Sequence, residues 1–192
     1  MVCAQEALVQ LELDRVVFVP VGVPPHREID GDPGAEVRLE MTELAVSGDE
    51  RFTVSRIELD REGPSYTADT LEQLAGETPD DELFLILGGD QAAALASWHE
   101  PEQVLERATV AVFERVHWNR NAIGIKIGRL RGAERVRYLD MPLMQVSSSA
   151  IRRRVREDRP IRYLVTDKVA DYISSHSLYG AGSTRAEEAV HS

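Results

Sequence analysis

Leu83-Phe84-Leu85-Ile86-Leu87-Gly88-Gly89-Asp90, continuing into Gln91-Ala92-Ala93-Ala94-Leu95, is the passage from which the fold can be read. A short, uninterrupted apolar run suits a strand covered on both faces, as in a parallel sheet. The glycine pair lets the chain turn tightly, and the alanine-rich stretch beyond it reads as a helix. Thr109 to Phe113 repeats the buried-strand pattern, and Arg135 to Leu139 predicts a further strand. Between the first two, Glu102 to Arg107 has helical spacing.

Upstream, Val2, Ala4, Ala7, Leu8 and Leu11 recur at helical spacing, so the chain opens on a helix. Val16-Val17-Phe18-Val19 reads as a strand covered on both faces and stopped by Pro20. Val37, Met41, Leu44 and Ala45 mark a second helix, Phe52 to Leu59 a strand and Thr67 to Leu74 a third helix. Residues 116–134 show no clean period and read as a variable surface excursion. Near the end, Thr166 is expected to cap a helix reaching Ser175, with Val169, Tyr172 and Ile173 on one face. Residues 181–192 are small, polar and charged, which predicts a disordered tail. Alternating strands and helices imply an α/β domain with a mainly parallel sheet, whose ligands sit beyond the carboxyl ends of the strands.

The chain has 192 residues, 43% of them apolar, which suits one domain with a substantial core. Its formal net charge of −11 argues against an extended nucleic-acid or anionic-membrane partner. Cys3 is the only cysteine, so no disulfide framework or cysteine-based metal cluster exists, and a reducing cytoplasm fits. No apolar run approaches a membrane span and no signal-peptide pattern is present, so a soluble protein is expected.

Against this acidic background, Ser147-Ser148-Ser149-Ala150-Ile151-Arg152-Arg153-Arg154-Val155-Arg156 stands out, with six arginines between Ala150 and Arg162. Hydroxyls and unpaired N–H groups at a helix start favour an anion, and arginine grips phosphate oxygens bidentately. The bland alternative is a capped helix with a solvated basic face. Gly88-Gly89-Asp90 could admit a nucleotide and offer a carboxylate to ribose hydroxyls, or could simply be a turn and cap. Trp98-His99, just before Glu100-Pro101, could stack on a planar ligand or close the edge of the core. Pro24-Pro25-His26-Arg27 is a stiff loop ending in two phosphate-capable side chains, and Ser65-Tyr66-Thr67 reads as a helix cap. His117, His176 and His191 have no spaced partners, and no metal ligand set is indicated.

In order along the chain, Phe18-Val19-Pro20-Val21-Gly22 with Pro24-Pro25-His26-Arg27, Glu62-Gly63-Pro64-Ser65-Tyr66-Thr67-Ala68-Asp69-Thr70-Leu71, Gly88-Gly89-Asp90 with Ser97-Trp98-His99, and Val146-Ser147-Ser148-Ser149-Ala150-Ile151-Arg152 resemble bacterial nicotinate-nucleotide adenylyltransferases. The likeness spans roughly residues 2 to 180. It implies a Rossmann-like nucleotidyltransferase domain over 1–180 that transfers AMP from ATP to nicotinate mononucleotide, giving deamido-NAD and pyrophosphate. Carried over by position, Trp98 would stack on the nicotinate ring, with Thr67 and His99 beside its carboxylate. Gly88 and Asp90 would hold the ribose and adenylate region. Ser147, Ser148 and Arg152 would grip the ATP phosphates, with Ser148 and Arg152 serving the transfer itself, and His26 and Arg27 would take the mononucleotide's phosphate. Mg²⁺ would be held mainly by ATP oxygens, and a homo-oligomer is compatible with the sequence.

The family places a strand, a Gly-rich loop with Phe-Asp-Pro and a His-x-Gly-His element before the first helix. None of these occurs here, so the resemblance implies that the first strand and the histidine pair are missing and that this 192-residue form is impaired. Other readings are a non-catalytic nucleotide-binding relative, or a sister adenylyl- or cytidylyltransferase for phosphopantetheine or a choline-like phosphate. Trp98-His99 with Ser65-Tyr66-Thr67 argues against the sister enzymes.

Overall fold

The computed structural model describes residues 1–25, 31–114, 119–141 and 146–180. The chain divides into two compact units, one comprising Met1–Val16 and Arg61–Leu143, the other Val17–Asp60 and Met144–Ser192.

The first unit is built on a three-stranded parallel sheet in the order β3-β4-β5, formed by Phe84–Gly88, Thr109–Phe113 and Val136–Leu139. Leu85 lies opposite Val110, and Val110 opposite Val136. As the middle strand, β4 is buried along its whole length, which explains why its sequence is continuously apolar rather than alternating. Its residues still divide by face. Val110 and Val112 join Leu71, Leu87, Val104, Leu105, Ile123 and Ile127 in one core, while Ala111 and Phe113 pack with Ala7 and Leu139 in another.

Four helices supply the first core: α3 (Thr67–Glu77), α4 (Gly89–Ala94), α5 (Pro101–Arg107) and α6 (Arg120–Ile127). The opposite face is covered by α1 (Val2–Gln10), whose end is tied to the end of β5. Gln10 Nε2 donates to the Asp140 carbonyl at 2.7 Å, and the Asp140 N–H donates to Gln10 Oε1 at 3.0 Å. One glutamine amide thus satisfies both backbone groups where the ladder stops.

The second unit pairs β1 (Val16–Phe18) with β2 (Phe52–Val54), and Phe18 meets Phe52 edge-on with ring centroids 5.9 Å apart. Its helices are α2 (Ala35–Val46), α7 (Ser148–Arg156) and α8 (Asp167–Ser175). Val155, Val169 and Ile173 form its core, with Met41, Leu44, Ala45 and Tyr179 against them. Arg38 is the polar anchor of α2. It donates to the Val21 carbonyl at 2.6 Å, to the Gly22 carbonyl at 3.1 Å and to the Asp32 carboxylate.

Four sequence expectations need correction. The strand expected over Phe52 to Leu59 ends at Val54, because after Ser55 donates to the Phe18 carbonyl at 2.9 Å the chain turns, with Leu59 N–H bonding the Arg56 carbonyl at 2.7 Å. Residues 116–134, read as an excursion, contain α6, capped by Asn119 and anchored by buried Ile123 and Ile127. Thr166 precedes α8 as expected, yet its hydroxyl makes no cap bond and is buried without a hydrogen-bond partner. Val17, expected to be covered, is exposed. Among the described residues no helix is long and apolar enough to cross a membrane. The tail expectation, with His26, Arg27, His117 and His191, lies outside the described residues.

Candidate active site

In the first unit the residues of interest sit at the start of helices that follow strand ends or loops. Gly88 is the last residue of β3 and adopts the extended conformation that precedes α4, while Asp90 is exposed in that helix's first turn. Gly89, the first residue of α4, is buried. This is the carboxyl end of a parallel strand, where open α/β sheets place ligands.

Thr67 is the first residue of α3, directly after Tyr66. The Tyr66 carbonyl accepts from the Thr70 N–H at 3.1 Å and from the Thr70 hydroxyl at 3.2 Å, which fixes the entry into the helix. Beside it lies the Trp98–Glu100 loop. Trp98 is half-buried and packs against the core, whose edge it closes. The His99 ring lies 4.3 Å from the Tyr66 ring, tilted by 33°. Thus the Tyr66-Thr67 helix start and the Trp98-His99 pair, 31 positions apart, are neighbours.

One feature here has no counterpart in the sequence reading. Asp69, His99 and Glu100 each bring a nitrogen or oxygen within 4.8 Å of the others. His99 Nε2 is 3.8 Å from Glu100 Oε2, and Glu100 holds a left-handed backbone at φ 47°. Asp69 and Glu100 belonged to quoted motifs, but only the packing of α3 against the loop makes them a group. One imidazole and two carboxylates could hold a divalent cation, though not as the all-oxygen set Mg²⁺ prefers.

In the second unit, α7 realises the serine-arginine segment. The Ser147 hydroxyl accepts from the Ala150 N–H at 3.2 Å, a cap of the expected kind, and Ser147, Ser148 and Ser149 are exposed. Arg152 is half-buried and donates to Ser149 Oγ at 3.3 Å, so it is directed back toward the helix start. The arginines are not equivalent. Arg153 is exposed, whereas Arg154 is half-buried and donates through Nε to the Pro160 carbonyl at 2.9 Å, bracing the turn after the helix. In the same unit Tyr179 is packed against α7, and burial raises its phenol above the ordinary value. Asp32 is held below the usual carboxylate range, chiefly by its hydrogen bond from Arg38, and the nearby Arg152 charge adds to the effect.

Comparison with known proteins decides the family. A cytidylyltransferase-like family model matches residues 1–154. A probable nicotinate-nucleotide adenylyltransferase of Thermus thermophilus is 42% identical over 93% of this chain and 90% of its own length. One from Frankia casuarinae is 41% identical over 95% of this chain and 94% of its own length. The chain belongs to the nicotinate-nucleotide adenylyltransferases. Its fold is the nucleotidyltransferase-like Rossmann fold. A Plasmodium falciparum nicotinic acid mononucleotide adenylyltransferase complexed with NaAD matches with a TM-score of 0.72, covering 92% of this chain and 90% of that one. A second structure of that protein, complexed with APC, matches at 0.70. At 16% identity these two likenesses speak to the fold alone.

Proposed function

We propose that this protein joins ATP and nicotinate mononucleotide. A phosphate oxygen of the mononucleotide attacks the α-phosphorus of ATP, the bond to the β-phosphate breaks, and pyrophosphate leaves as deamido-NAD forms. The observation that carries the reading is the adjacency of the Tyr66-Thr67 helix start and the Trp98-His99 loop, within a family whose curated relatives bear this activity's name.

In this reading Trp98 stacks on the nicotinate ring and Thr67 and His99 face its carboxylate. Gly88 and Asp90 receive the ribose and adenylate region, where the absence of a side chain at Gly88 permits close approach. Ser147, Ser148 and Arg152 hold the ATP phosphates, and His26 and Arg27 take the phosphate of the mononucleotide. Such transfer needs alignment and stabilisation of charge on phosphate oxygens rather than a protein nucleophile. Mg²⁺ would supply neutralisation of that charge, held mainly by the ATP oxygens, since the described residues offer their one cation-capable group at the pyridine corner and not on α7.

A second reading is a nucleotide-binding relative that binds both nucleotides with little turnover. Chromatographic detection of deamido-NAD, alongside calorimetric binding of each substrate, separates the two. Product formation supports the transferase. Binding without product supports the second reading, and binding of neither substrate refutes both.

A further inference from the structure

The corner between α3 and the Trp98–Glu100 loop contains three groups to which no role has been given, namely Tyr66, Asp69 and Glu100. His99 is a surface residue whose side chain is 46% exposed, and a lone imidazole on a loop would sample several rotamers. It is not alone. The Tyr66 ring lies on it at 4.3 Å, and the carboxylates of Asp69 and Glu100 lie within 4.8 Å of it and of each other. Tyr66 is itself anchored, because its carbonyl accepts both Thr70 bonds and α3 continues from it. Asp69 sits in the first turn of the same helix, two residues beyond Thr67. Glu100 is set by its left-handed backbone immediately before Pro101 begins α5.

We infer that Tyr66 and Asp69 are positioning residues for His99, and that this arrangement sets the preference for a pyridine bearing an anionic carboxylate over one bearing a neutral amide. This rests on the proposed pyridine site. Two helix starts, of α3 and α5, bring these groups to the imidazole: the Tyr66 ring restricts its tilt, and the carboxylates of Asp69 and Glu100, within 4.8 Å of a ring nitrogen, favour one orientation of its N–H. An orientated donor distinguishes a carboxylate from an amide, whereas a freely rotating one averages the difference away. The carboxylates also supply a test of sign. If Asp69 acted only through its field, it would repel an anionic substrate, and removing its charge would tighten binding. If it positions His99, removing its charge weakens binding.

The experiment is calorimetric titration of the 192-residue chain, and of its Tyr66→Ala, Tyr66→Phe and Asp69→Asn variants, with nicotinate mononucleotide, nicotinamide mononucleotide and ATP, with thermal unfolding as the check on folding. Tyr66→Ala and Asp69→Asn are each expected to weaken nicotinate mononucleotide by about two- to twelvefold, the range an aromatic contact supplies, with nicotinamide mononucleotide and ATP within about twofold of the parent. Tyr66→Phe, which keeps the ring, should stay close to the parent. Equal losses for the two pyridine nucleotides, no loss in Tyr66→Ala, or tighter nicotinate mononucleotide binding by Asp69→Asn would each overturn the inference. Should Tyr66→Ala fail to fold, Asp69→Asn decides alone. A parent chain that binds neither pyridine nucleotide would instead refute the proposed function, and an unselective parent would refute only this inference.

Discussion

Arg152 and Arg153 are consecutive in α7, yet one is half-buried and turned back onto Ser149 while the other faces solvent. Charge is common to both, so only the phosphate reading makes them differ. Arg152→Lys keeps the charge but loses the planar fork. If one charge-assisted bond to a phosphate is lost, at about 1.5–3 kcal/mol, the ATP dissociation constant rises roughly ten- to a hundredfold, whereas Arg153→Lys leaves it unchanged. Equal effects in calorimetry would reduce the run to a solvated helix face. Trp98→Ala should weaken nicotinate mononucleotide several-fold while sparing ATP, since stacking adds about 0.5–1.5 kcal/mol beyond area burial. At Asp32 the bond from Arg38 depresses the carboxyl below its unfolded value. The stabilisation is therefore complete above the unfolded value of about 3.9 and is lost as pH falls through the lower folded value. Urea unfolding should show Asp32→Asn less stable than the parent at pH 7, with the gap closing at acidic pH; a gap that persists there would deny the ionic origin.

Individual elements were legible wherever burial alone dictates the residue pattern. β3 and β4 follow from unbroken apolar runs, α1, α3 and α5 from helical spacing, and α7 from the hydroxyls at its start. Where a partner decides, the pattern misled. Residues 55–59 keep apolar character without a neighbouring strand, and the Ser55 bond to Phe18 ends the ladder. α6 was hidden by Gly124 and by exposed Ile125, although Asn119 as a cap and Ile123 with Ile127 four apart were the signals that could have found it. Ile123 is fully buried in the core over β4. Ile123→Ala should cost about 2–5 kcal/mol in chemical denaturation, because the cavity adds to the lost transfer term. A cost below about 1 kcal/mol would mean that α6 is peripheral to that core.

At the scale of the whole molecule, the net charge of −11 and the basic helix α7 coexist because exposed charges more than about 10 Å apart are largely screened from one another. Ligands that bind the folded chain and not the unfolded one raise its stability. ATP at a hundredfold its dissociation constant contributes about 2.7 kcal/mol, or a rise of roughly 5–10 °C in Tm for a chain of this size. No shift in a thermal scan would refute ATP as a ligand. The sequence by itself determined the alternation of strands and helices, the cap at Ser147 and the family, because apolar periodicity, hydroxyl capping and motif order are local properties of the chain. Only the tertiary structure decided that Arg154 braces a turn while Arg152 faces the helix start, and that Tyr66 and Asp69 flank His99. The side-chain surroundings of a residue depend on groups many positions away, and no local pattern specifies which of several similar side chains the packing will bury, pair or leave to a ligand.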